Sequence, residues 1–79
     1  SRVMKIWNQQ KQPVEVDPVE TAQKFWQSEY GRVAGEKCYP IDTMLERYLA
    51  AEHGAVVWNT RDYEILRVTV LHNWPVEWR

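Results

Sequence analysis

The sequence predicts a two-layer α+β domain: a three-stranded antiparallel sheet with two helices laid across one face, in chain order β-α-α-β-β. Three observations carry this. Residues 17–30 and 42–53 combine helix-start signals with apolar side chains at helical spacing. Residues 3–7, 55–59 and 63–72 are rich in β-branched and aromatic types. A chain of 79 residues with no repeat or low-complexity segment reads as one domain, residues 1–79.

The elements follow in order. In residues 3–7, Val3 and Trp7 fall on one face and Met4 and Ile6 on the other, as in a strand. Residues 8–16 are polar, hold Pro13 and read as a flexible loop. At 17–20, Asp17 is an N-cap, Pro18 occupies the first helical position and Glu20 the third. The helix they open places Val19, Ala22, Phe25, Trp26 and Tyr30 on one side, and Gly31 is set to close it. Residues 32–40, with Gly35 and Pro40, read as a connection.

The second helix begins at Asp42 or Thr43, where Thr43 and Glu46 have capping-box spacing. Its buried stripe is Ile41, Leu45, Tyr48 and Leu49, with Met44 and Ala51 beside it, and it stops at His53 and Gly54. Residues 55–59 and 63–72 then form a hairpin through 60–62. Alternation assigns Leu66, Val68 and Val70 to the core face, and Tyr63, Ile65, Arg67, Thr69 and Leu71 to the outer face. Residues 73–79 are a C-terminal tail in which Pro75 ends or edges the sheet.

Composition narrows function mostly by what it disfavours. Ten basic residues against eleven acidic ones, scattered along the chain, leave no basic stripe to displace counterions from a phosphate backbone. No apolar run is long enough for a membrane span, and no secretory signal pattern opens the chain. Cys38 is the single cysteine, so no disulfide or thiolate metal cage forms within one chain, and a reducing, cytoplasmic setting is expected. Cys38 with His53 or His72 has the residue types of a thiol nucleophile and its base, without a glycine-rich or helix-entry context for an oxyanion. Neither histidine belongs to a metal-ligating motif. Glu46, Glu52, Asp62 and Glu64 are explained by capping, helix surface and turn chemistry. The expectation is a protein that is not an enzyme and holds no cofactor or metal.

The feature left over is the aromatic excess: five tryptophans, four tyrosines and one phenylalanine. A two-layer domain has one fully dry interface, so some of these rings are left for an outer surface. Trp58, Tyr63, Ile65, Arg67, Leu71, Trp74 and Trp78 are the expected interface residues, because tryptophan, tyrosine and arginine anchor protein contacts. The alternative for Trp74 and Trp78 is that the tail folds back and buries them.

The favoured function is therefore a non-catalytic protein-interaction module, a homodimer or a small inhibitor or adaptor, of the size common among phage and mobile-element proteins. A second reading is a small-ligand or minimal enzymatic pocket between sheet and helices, lined by Cys38, Tyr39, Tyr48 and His53. A third is a single-stranded nucleic-acid binder that stacks bases on Trp58 and Tyr63 beside Arg67.

Overall fold

Alternating side chains at the start of the chain build the central strand of a small sheet. The computed structural model describes residues 3–8, 10–56 and 60–78. Strand β1, Met4–Asn8, buries Met4 and Ile6 and exposes Lys5. It pairs antiparallel with β2, Pro13–Val16, in the register Met4 with Val16, Lys5 with Glu15, Ile6 with Val14 and Trp7 with Pro13. Lys5 and Glu15 thus oppose each other on the solvent side, a favourable cross-strand pair. The expected loop at 8–16 is in fact a turn followed by this strand. Pro13 is tolerated because it opens an edge strand, and the turn is made tight by Lys11 in the left-handed region at φ 61°. A two-residue strand β3, Ala55–Val56, pairs antiparallel with the far end of β1, giving the order β2-β1-β3.

Helix α1, Pro18–Gln27, begins as its sequence dictates. The Asp17 carboxylate accepts from the backbone N–H groups of Val19 and Glu20 at 2.9 and 3.3 Å, with Pro18 just inside the cap. It does not run on to Tyr30. Ser28 takes an extended conformation, its N–H still donating to the Lys24 and Phe25 carbonyls, while its hydroxyl accepts from the N–H of Gly31. One residue therefore ends α1 and caps α2, Glu29–Lys37. Gly31 is needed here, since a Cβ at that position would overlap the Phe25 carbonyl and lie 2.6 Å from the Trp26 Cα. The segment 32–40 is corrected from connection to helix through Lys37. Its outward face is held by Arg32, which pairs with Glu29 and with Glu36, the latter at 2.8 Å.

Helix α3, Ile41–His53, follows Pro40 and buries Met44, Leu45, Tyr48 and Leu49. Its start carries no side-chain cap, so the Thr43–Glu46 capping box does not form, and Ala51 is exposed. Its end is as expected: Gly54 at φ 58° donates its N–H to the Ala50 and Leu49 carbonyls.

The largest correction concerns the expected C-terminal hairpin. Residues 60–72 are a helix, α4, Thr60–His72. Leu66 and Val70 are fully buried while Val68 between them is 41% exposed, a spacing of four rather than two. The side chain of Thr69 bonds back to the Ile65 carbonyl, which accommodates a β-branched hydroxyl residue in mid-helix. Among the described residues the order is thus β-β-α-α-α-β-α followed by a short 3-10 turn, with four α-helices around a hairpin that β3 barely extends, and the expected β-α-α-β-β sheet is overturned. Helix α1 packs on α2 and α4, α2 on α3, α3 on β3 and α4 on β1. Phe25, Ile6, Leu45, Leu49, Leu66 and Val70 are the large side chains sealed at the centre.

Gly31→Ala is expected to cost about 1–3 kcal/mol, because the obstacle is backbone and cannot give way. Gly54→Ala has open space around it and costs about 1 kcal/mol through its positive φ alone. Urea unfolding of the two variants should rank them in that order.

Candidate functional site

The chain's C-terminal end builds a tryptophan-lined groove. Trp26, on the last turn of α1, is buried, and its indole N–H donates to the Val70 carbonyl at 2.8 Å. That carbonyl also accepts the Asn73 backbone N–H at 3.2 Å where α4 ends, so its second lone pair is what gives the buried indole N–H a partner. Past α4, Pro75 prevents further helix and residues Val76–Trp78 form a single 3-10 turn. The turn carries Trp78 back, and the Trp74 indole N–H donates to the Trp78 carbonyl at 3.1 Å. Trp74 and Trp78 then lie against Trp26, with ring centroids 5.1 and 6.1 Å away. Gly35 makes room: a Cβ there would sit 2.5 Å from the Trp78 ring.

Trp74, Pro75 and Trp78 remain half-buried, and Val76 on the turn is 80% exposed. Between α1, the start of α2 and the tail lies a depression of about 470 Å³. Trp26, Trp78 and Pro75 form its apolar walls, and Gln23, Gln27 and Asn73 supply amides to its rim. Arg32 is also on the rim, but its charge is already met by Glu29 and Glu36. The groove offers aromatic faces that can cover an apolar group, and neutral amides able to pair with peptide N–H and C=O groups.

Of the seven residues expected at an interface, the six that are described do not share one surface. Trp58 lies outside the described residues. Tyr63 and Arg67 converge on the first turn of α3, where the Tyr63 hydroxyl and the Arg67 Nε both donate to one Asp42 oxygen at 2.8 Å. Burial first, then the Asp42 carboxylate, hold the Tyr63 hydroxyl well above the usual tyrosine range, with Glu46 adding to the effect. Ile65 and Leu71 are half-buried on α4, Ile65 against the core. The outer sheet face they were assigned to is not formed, because their segment is helical. Trp74 and Trp78 are the two that meet, and the tail does fold back, over α1 and α2 rather than over a sheet. Sequence reasoning missed Trp26, Gln23 and Gln27 as their partners. The available signal was the four-residue spacing of Trp74 and Trp78 across a proline, which suits one tight turn.

Of the residues considered for a pocket between sheet and helices, Tyr48 and His53 do line one, a depression of about 320 Å³ bordered by β2, α1 and α3. Cys38 and Tyr39 lie outside it and are exposed. Among the described residues, no group of three or more histidine, cysteine, aspartate or glutamate side chains is placed to hold a metal ion. No described helix is long and apolar enough to cross a membrane. No protein-family model, curated protein or solved structure matches the chain.

Two outcomes follow from this geometry. Because folded Tyr63 keeps its proton beyond the ordinary tyrosine range, the unfolded chain loses that proton first as pH rises. Its stabilising contribution is complete below pH about 10 and is lost above it. Tyr63→Phe should flatten the fall in stability that sets in above about pH 10 in denaturant titrations, while costing about 1 kcal/mol at neutral pH. Gly35→Ala should push Trp78 off its seat, with red-shifted and more easily quenched tryptophan emission and a stability loss of about 1–3 kcal/mol.

Proposed function

We propose that this protein is a non-catalytic interaction module that captures an extended segment of a partner protein in the groove walled by Trp26, Pro75 and Trp78. The observation that carries the reading is that Trp78, like Trp74 beside it, is held by a tilted ring contact against a buried third tryptophan, yet keeps part of its surface open on the groove. Preorganised tryptophan faces are the typical energetic anchors of protein contacts, since they offer large area at little cost in side-chain freedom. The rim favours a peptide over an isolated apolar molecule. Gln23 and Gln27 are exposed one helical turn apart on α1, so their amides lie along the groove where a partner backbone would run. Arg32 is paired with Glu29 and Glu36 and Glu77 adds a carboxylate to the rim, so the groove suits a segment without acidic groups that bears proline or aliphatic side chains, the chemistry that extended proline-rich strands bring to aromatic-lined grooves. The lone exposed thiol of Cys38 fits a reducing, cytoplasmic setting.

A displayed peptide library selected on the purified protein tests this. Binders rich in proline and aliphatic residues are expected. They should alter tryptophan emission on binding, and lose about tenfold in affinity against a Gln23→Ala/Gln27→Ala double variant while ignoring Val68→Ala on the far side of α4. Binders that are indifferent to the double variant, or a selection that returns none, would overturn the reading.

A further inference from the structure

The second depression, at the junction of β2, α1 and α3, has a different chemistry from the groove. Tyr48 is only 3% exposed, with its ring wedged edge-on between Phe25 and Tyr30 at 5.6 and 6.3 Å. It lines the depression, and its hydroxyl makes no hydrogen bond among the described residues; since no fully buried side-chain nitrogen or oxygen among them lacks a partner, this oxygen is the part of the side chain that reaches the open space. A phenol with a sealed ring keeps its polar end bonded or open to a partner from outside. Here that end meets a space of about 320 Å³, at the lower limit of small-molecule sites. Thr21, also buried, lines the same space.

The surrounding charge has a definite sign. Glu15 and Asp17 from β2 and its end, Glu20 from α1 and Glu52 from α3 face Lys24 and His53. Lys24 is already bound to Glu20 at 3.0 Å, and Asp17 is engaged in capping α1. Glu15 faces Lys5 across the strand pair without an ion-pair contact, Glu52 has no ion pair among the described residues either, and Glu52 stands one helical turn beyond Tyr48 on α3. The Tyr48 hydroxyl responds to this field: burial first, then Glu52, raises its pKa, and Lys24 only partly opposes them.

We infer that this depression is a binding site for a small organic cation, an alkylammonium or guanidinium group, held between the Tyr48 hydroxyl and the Glu52 carboxylate. The phenol oxygen accepts one N–H of the cation and Glu52 accepts a second as a charge-assisted bond. Glu15 supplies further negative potential from the opposite wall. A bare metal ion is a poorer match, because no three ligating side chains gather there. An anion would meet four carboxylates against His53 and one lysine that is already paired.

Butylammonium and butylguanidinium, titrated into the whole protein and followed by amide chemical shifts, test the site. Saturable shifts centred on residues 17–24 and 48–53 are expected, with none from butanol or butyrate. Tyr48→Phe keeps the ring packing and Glu52→Gln alters an exposed side chain, so both variants should fold. Each should weaken binding about tenfold, and Gln23→Ala/Gln27→Ala should leave it unchanged, which separates this site from the groove. N-acetyl-lysine methylamide distinguishes the sources: tighter binding than butylammonium assigns a partner's lysine, weaker binding a free amine. Absence of saturable shifts, or equal affinity in wild type and both variants, would overturn the inference.

Discussion

The hydrogen bond from the Trp26 indole to the Val70 carbonyl spans 44 residues of chain and is buried. Much of the molecule is arranged around it. It fixes the last turn of α1 against the last turns of α4, and it gives the buried indole N–H an acceptor in a helix-end carbonyl that also takes the Asn73 N–H. Such a bond contributes only about 1 kcal/mol net, yet leaving the indole N–H unmet inside the protein costs more, so neighbouring choices follow it. The chain must turn away directly after Trp26, and Ser28 breaks the helix to do so. The next helix must then pass close to the indole backbone, which excludes any side chain at Gly31. Gly35, one turn later, leaves the space that Trp78 enters.

This dependence explains what the sequence made legible. The start of α1 could be read because Asp17, Pro18 and Glu20 act on backbone groups within three residues of themselves. The end of α3 could be read because Gly54 answers a local demand for positive φ. The first strand could be read from the alternation of Met4, Lys5 and Ile6. Helix α2 could not. Its two glycines argue against a helix by propensity, at about 1 kcal/mol each, and their reason lies in Phe25, Trp26 and Trp78, which sequence alone does not place beside them.

Helix α4 failed for a related reason. Leu66, Val68 and Val70 alternate as a strand would, but Leu66 and Val70 are also four apart, and so are Val70 and Trp74. Both periods are present in the same letters. The helical one prevails because it presents Leu66, Val70 and the carbonyl that Trp26 requires to α1 together, and packing outweighs the β preference of valine and threonine. With that segment misread, Tyr63 and Arg67 were assigned to a surface, whereas they tie α4 to the first turn of α3 through Asp42. Trp74 and Trp78 kept their importance but changed their surroundings.

The two concave surfaces share α1 as a common wall. Gln23, Trp26 and Gln27 face the groove, while Glu20, Thr21 and Lys24 face the acidic depression. Between them, Phe25 is fully buried and edge-on both to Trp26, at 5.1 Å, and to Tyr48, at 5.6 Å. One sealed ring thus fixes the spacing between the anchor of one surface and the phenol of the other. In a close-packed interior such a ring does not yield gradually, so both surfaces are rigid for the same reason that the core is. A chain of 79 residues has little interior to divide. Placing both surfaces on either side of a single helix lets the residues that stabilise the fold also hold each surface in shape.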